Sequence, residues 1–96
     1  MNGIQLIAEE RQRQISVEGW TPEHDAQHTD ESLAVAASCY ALPEFYDRSE
    51  YVNNLWLWDN DWWKPSPENR IRELQKAGAL IAAEIDRLLA VDRKQG

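Results

Sequence analysis

The sequence predicts a mainly α fold: a small single domain of about three helices, two short and one long and C-terminal, with a tryptophan-rich irregular connection packed on them. Three observations lead there. Apolar residues recur with a helical period in three separate segments, and no segment alternates as a strand would. Capping residues and prolines stand where helices should start and stop. The chain has 96 residues. That is the size of one domain able to bury roughly 60–65% of its unfolded surface, so residues 1–96 read as a single unit without internal repeats.

Residues 3–17, GIQLIAEERQRQISV, read as the first helix. Ile4, Ile7, Arg11 and Ile15 share a stripe, and Glu9 precedes Arg13 by four residues, the favourable order for a helical ion pair. Gly19 then ends the helix. In residues 20–28, WTPEHDAQH, Thr21 followed by Pro22 predicts a helical turn or two inside a loop, with Glu23 and Asp25 at the positive end of its dipole. Residues 30–42, DESLAVAASCYAL, read as a second helix capped by Thr29 or Asp30 and stopped by Pro43. Its face of Leu33, Ala36, Ala37, Tyr40 and Ala41 is mostly small and permits a close helix–helix approach.

Residues 43–65 follow neither a helical nor a strand period. The five Trp and Tyr residues within 51–63 argue against disorder, and a long irregular stretch in a small domain points to function. Residues 66–91 read as the long helix, with Ser66 capping, Pro67 first and Glu68 next, and residues 92–96 as a frayed tail. Ile71, Leu74, Gly78, Ile81, Ile85 and Leu88 recur at spacings of 3, 4, 3, 4 and 3, a seam for another helix, within the protein or across a dimer. Gly78 costs about 1 kcal/mol against alanine in a helix interior, a cost that a close neighbour would offset.

The formal charge of −7 is unevenly placed: residues 18–61 carry ten acids against one base, Arg48. That distribution argues against non-specific nucleic-acid binding, which wants a basic face. The acidic middle is either a solvated face or a mimic of nucleic acid toward a basic partner. The single cysteine, Cys39, permits no internal disulfide and reads as a packed small residue in an alanine-rich run. No run of 18 apolar residues and no basic-then-apolar N-terminal signal is present, so no membrane partner is expected and a cytoplasmic location in the host cell is.

Three constellations could carry chemistry. In HDAQH, His24 and His28 stand four apart and, with Asp25 or Asp30, are weak candidates for a metal site; no third histidine or paired cysteines complete it. The carboxylates lack the ExxE and ExxD pairs with which all-α nucleotide pyrophosphohydrolases hold magnesium: Glu9 and Glu10 are adjacent, and Glu84 and Asp86 are two apart. The third is an aromatic box of Trp20, Tyr46, Tyr51, Trp56, Trp58, Trp62 and Trp63, with Arg48, Lys64, Arg70 and Arg72 near in sequence. Tryptophans stack on flat bases at about 1–3 kcal/mol per base, and Lys or Arg pairs with phosphate. The competing reading is that these rings are core, because the helices supply few large apolar side chains. Trp56 and Trp62 are expected in the core, and Trp63-Lys64-Pro65, joined by Trp20 and His24, as a pocket wall.

The stretch from ERQRQISVEGWTPEHDAQH through WDNDWWKP to NRIRELQKAGALIAAEIDRL resembles a family of small phage and prophage proteins that occur alone or as the tail of larger phage proteins. The resemblance covers most of residues 9–89, is carried by GWTPEHD together with WWKP, and is weakest over 43–57. It implies a phage context and no particular activity. The residues it highlights include Glu9, Arg11, Gln12, Gly19, Trp20, His24, Asp25, His28, Trp62, Trp63, Lys64, Pro65, Lys76 and Gly78.

These readings converge on an expectation: a phage-encoded, non-catalytic binding protein, without cofactor, that captures a small nucleotide-derived ligand and so sequesters a host immune signal. Trp20 and Trp63 would stack, Arg11, Lys64 and Lys76 would neutralise phosphate, and His24 and Asp25 would hydrogen-bond base or ribose. A homo-oligomer joined through the 66–91 seam is expected. The alternatives are an acidic interaction protein that blocks a basic host surface and, less favoured, a nucleotide hydrolase.

Overall fold

A computed structural model of the chain describes residues 1–44 and 47–95. Among these residues there are five α-helices and no strand: α1 (Gly3–Ser16), α2 (Pro22–Asp25), α3 (Ser32–Ala41), α4 (Arg48–Leu55) and α5 (Arg70–Gln95), with a 3-10 turn at Asn60–Trp62 before α5. The all-α class matches the sequence reading; the helix count does not, because α2 is a helix in its own right and α4 lies inside the stretch expected to be irregular. The reason α4 leaves no period is that it buries only Arg48 and Val52, one turn apart, and two positions make no stripe. Tyr46, placed in the aromatic box from the sequence, lies outside the described residues.

The core is the junction of α3 and α5. Leu33, Ala36, Ala37 and Tyr40 meet Ala77, Leu80 and Ala83, and Trp20, Trp56, Trp58 and Trp63 close over them half-buried. Alanines on both helices let the backbones come close, and the tryptophans supply the volume that the alanines lack. Cys39 is fully buried, and burial pushes its thiol up from the ordinary value.

The stop of α3 is built from charge. Pro43 prevents continuation, and the freed carbonyls are taken by guanidinium groups: Arg70 donates to the Tyr40 oxygen at 3.0 Å and also to Ala41, and Arg48 donates to Leu42 at 3.3 Å. Glu73 holds both arginines, at 2.8 Å from Arg48 and 3.3 Å from Arg70, and accepts the Ser66 amide at 3.1 Å. Burial alone would push the Glu73 carboxyl up; the hydrogen bonds from Arg48 and Ser66 outweigh it and hold it below the usual carboxylate range. Ser66 therefore does not cap the long helix. That helix begins four residues later, where the Asn69 side chain accepts the Arg72 amide at 3.1 Å. Helix α3 likewise starts from Glu31, in the left-handed region at φ 66°, while the Asp30 carboxylate accepts the Ser32 amide at 3.1 Å.

Helix α1 packs on α5 in an unexpected way. Its buried residues are Glu10, Arg11 and Gln14, and Ile4, placed on the apolar stripe from sequence, is 81% exposed. Glu10 is bonded by Arg13 at 2.8 Å and by Arg72 of α5 at 2.5 Å. Burial would raise its pKa, and these two partners reverse the shift. The apolar contact is Ile7 on Gly78: a Cβ at Gly78 would come within 2.5 Å of the Ile7 side chain, which accounts for a glycine inside α5. The seam around Gly78 is not core. Ile71, Leu74, Ile81, Ile85 and Leu88 are 44–63% exposed, and the core uses the adjoining face.

Candidate functional site

Four segments converge beside the core. The first is the α1–α2 connection. Trp20 is fixed by its own backbone: its amide donates to the Gln14 oxygen at 2.9 Å and its carbonyl accepts from Arg11 at 3.2 Å. Thr21 caps α2 by accepting the His24 amide at 3.3 Å, with Pro22 at the first position. Arg11 also forms a buried ion pair with Asp25 at 2.8 Å, which ties this four-residue helix to α1. Asp25 in turn lies 3.3 Å from the His24 Nδ1, and His28 Nδ1 lies 3.1 Å from the Ser32 hydroxyl at the start of α3. Both imidazoles are thereby oriented from behind.

The remaining wall comes from residues 56–63. The Asp59 carboxylate accepts the Asp61 amide at 2.9 Å, and the Asp59 carbonyl accepts the Trp56 indole N–H at 3.1 Å. This turn folds the chain so that Trp58 and Trp62 stand on one side of it, 6.0 Å each from Trp20 between ring centroids. His28 lies 5.2 Å from Trp58 and 5.0 Å from His24, and the Trp20 and His24 planes are within 5° of parallel at 6.4 Å. Trp20, His24, His28, Leu33, Trp58, Asp59 and Trp62 enclose an open cleft of about 280 Å³. Ligand pockets run at about 300–1,000 Å³, so this one suits a single flat ring system.

Behind Trp20 and Trp62 lies a second, narrower notch, which also touches Gln14, Tyr40, Lys64 and Lys76. The Lys76 ammonium donates to the Lys64 carbonyl at 2.7 Å and stands 5.5 Å over the Tyr40 ring; the Lys64 ammonium stands 5.5 Å over Trp62. Burial lowers the pKa of Lys76, with the charge of Arg72 second. Among the described side chains every arginine has a carboxylate within 4 Å, and Lys64 and Lys76 have none. Among the described residues three buried polar atoms have no hydrogen-bond partner: Arg11 Nε, Gln14 Oε1 and Trp58 Nε1. Trp58 lines the cleft, Gln14 the notch, and Arg11 a third groove between Pro22 and Asp25 of α2 and Ala83 and Arg87 of α5.

The residues singled out from sequence thus fall into three groups. Trp20 and His24 line the cleft. Lys64 and Lys76 meet on the far side of the Trp62 wall. Arg11 and Asp25 neutralise each other behind it and act on the cleft by positioning Trp20 and His24. Trp63 and Trp62 exchange the places expected of them. Trp63 packs inward, 4.7 Å from Tyr40 and 5.2 Å from Trp56 with the Arg48 guanidinium 5.5 Å over it, whereas Trp62 is 43% exposed at the cleft. Trp56 is half-buried against the core as expected. From sequence Trp58 belonged to the aromatic box but not to the expected ligand-binding residues, and Asp59 to neither; the structure places both in the cleft lining.

The buried carboxylates Glu10, Glu73 and Glu84 are each held by arginine, and Cys39 has no access to the cleft. Among the described residues no three His, Cys, Asp or Glu side chains converge as a metal set. No described helix is long and apolar enough to cross a membrane. No protein-family model, curated protein or solved structure matches the chain.

Proposed function

We propose that the protein is a non-catalytic binding protein for a small nucleotide-derived ligand, whose base enters the cleft among Trp20, Trp58 and Trp62 and whose phosphate reaches Lys64 and Lys76. The observation that carries this reading is the pairing of an open aromatic cleft with two lysine side chains, Lys64 and Lys76, that lack a carboxylate, both beside the same Trp62 wall. Indole faces accept any flat base, and a lysine without a carboxylate partner is a point charge for phosphate. His24 and His28 offer ring nitrogens for the polar edge of base or ribose. The phage context, and with it the withdrawal of a host immune signal, rests on the resemblance of GWTPEHD and WWKP.

Titration of the protein with mononucleotides, ADP-ribose derivatives and cyclic dinucleotides, followed by tryptophan emission and by calorimetry, tests the reading. A ligand of the right class quenches emission and saturates at micromolar concentration, and Lys64→Ala together with Lys76→Ala weakens it at least tenfold, about 1.4 kcal/mol. Absence of heat and of quenching for every member at high micromolar concentration refutes it. A second reading, an acidic surface that blocks a basic host protein, has its own support: Glu23, Asp30, Glu31, Asp47, Glu50 and Asp61 are exposed and, among the described residues, lack a basic partner. Binding of a protein through those acids leaves the cleft open, whereas a ligand stacked in the cleft quenches tryptophan emission and is lost with Trp62→Ala.

A further inference from the structure

We infer that the cleft selects a flat ring that bears a positive charge, so that the preferred nucleotide is one whose base is an N-alkylated, cationic ring. The nucleotide half of this statement rests on the proposed function and names the ligand class within it. The charges of the site are ordered. Asp59 is the one acidic side chain in the cleft lining, and among the described residues no lysine or arginine lines it. One Asp59 oxygen accepts the Asp61 amide at 2.9 Å, and an ionised carboxylate has further lone pairs to offer. Burial lowers the pKa of His28, with the charge of His24 second, so that this imidazole is neutral at pH 7. Asp30 adds its negative charge beside His28, while Arg87, whose charge also reaches that ring, is held by Glu84. Asp25, behind His24, is neutralised by Arg11.

The indoles point the same way. Lys64 stands over Trp62, Arg48 over Trp63 and Lys76 over Tyr40, each at 5.5 Å, and among the described residues no cation stands over Trp20 or Trp58. Trp58 and Trp62 are inclined to Trp20 by 64° and 51°, with 6.0 Å between centroids in each case. The three rings are therefore walls of a box and not the leaves of a parallel sandwich. A neutral base lies flat on only one such wall. A positive charge is attracted to every electron-rich face within about 6 Å of it. Beyond the Trp62 wall the sign reverses, at Lys64 and Lys76, where a phosphate would be held. A zwitterion with a cationic ring and an anionic phosphate matches both ends, whereas an unmodified nucleotide brings nothing that the Asp59 side attracts.

Calorimetric titration of the full chain with two matched pairs tests the inference: 7-methylguanosine monophosphate against guanosine monophosphate, and nicotinamide mononucleotide against its reduced, uncharged-ring form. The charged member of at least one pair should bind at least about fivefold more tightly, and the pair with the larger ratio tells a methylated purine from a pyridinium. The ring alone is tested without phosphate by tryptophan quenching with 1-methylnicotinamide and with neutral nicotinamide, of which the first should quench at the lower concentration. Asp59→Asn keeps an oxygen for the Asp61 amide and should shrink the charged-to-neutral ratio roughly threefold or more. Equal affinities within both pairs overturn the inference and leave the proposed function standing. A ratio that Asp59→Asn leaves unchanged overturns it too, since uncharged features of the two rings would then decide. Quenching by 1-methylnicotinamide with no nucleotide bound supports the cation site and refutes the nucleotide reading. Silence from every probe refutes both.

Discussion

Trp63 packs against Tyr40 and Trp56 at 4.7 and 5.2 Å, whereas Trp62, its neighbour in the chain, forms a wall of the cleft with 43% of its surface exposed. The two sides of this peptide differ in how their polar partners are disposed. On the inner side Tyr40 accepts the Lys64 amide at 3.1 Å, Arg48 lies over Trp63, and Glu73 neutralises Arg48. On the outer side the indole of Trp58 has no acceptor, and the ammonium of Lys64 has no carboxylate. The inner rings are held by a network that is nearly closed. The outer rings stand beside groups whose hydrogen-bonding capacity is unspent. A protein this small cannot leave large aromatic area open without loss of stability, so the asymmetry separates rings that hold the fold from rings that, on the proposed function, serve a ligand.

The hardest test of the inner side is Glu73→Ala. The Glu73 and Arg48 side chains are each only 2% exposed. Removal of Glu73 leaves the buried Arg48 guanidinium with only the exposed Glu44 carboxylate as counter-charge and should cost about 3 kcal/mol, the low end for a broken buried pair, in denaturant unfolding. A loss under about 1 kcal/mol would mean that the cluster at the end of α3 opens to water, and the distinction between the two sides would weaken. The next test sets neighbours against each other. Trp63→Ala should cost about 2–3 kcal/mol, below the figure for a fully buried tryptophan because Trp63 is half-buried. Trp62→Ala should cost less than about 1 kcal/mol and remove most ligand-induced quenching. Equal stability losses, or a ligand response that survives Trp62→Ala, would break the comparison.

The same pair shows what sequence can and cannot convey. Helix α5 was legible because its exposed seam is periodic, even though that seam is not the core face. Helix α3 was legible from its alanines and from Pro43. Helix α1 was legible as a helix but not in orientation, since it buries Glu10, Arg11 and Gln14, and a pattern search weights only apolar residues. Its partners, Asp25 for Arg11 and Arg72 for Glu10, lie 14 and 62 residues away along the chain, and no local spacing encodes such pairings. Trp20 and His24 were legible as site candidates because GWTPEH is a self-contained cap and turn. The choice between Trp62 and Trp63 was not. It depends on a 3-10 turn of three residues, Asn60–Trp62, and a shift of one residue there sends each indole to the other side.

The smallest effect, and the one most specific to the cleft, is a pH dependence centred on His28. Burial lowers the pKa of its imidazole below the ordinary 6.5, and the nearby His24 lowers it further, while Asp25 and Asp30 pull the other way. As pH falls through 6.5 the unfolded chain takes up this proton before the folded one does. The contribution of His28 to stability is therefore complete above pH 6.5 and is lost as pH falls below it toward the folded-state pKa. Glu10 and Glu73 are held below their ordinary 4.5, so their contributions are lost only at lower pH and leave this window clear. Denaturant midpoints between pH 8 and 5 should decline gently for the wild type and less for His28→Gln, whose amide can still reach the Ser32 hydroxyl now 3.1 Å from the ring. The shift should be smaller than that of any substitution above, because the ring is only partly buried. Identical slopes for the two proteins would show that His28 is as well solvated folded as unfolded, and the cleft would then be wetter on its histidine side than on its tryptophan side.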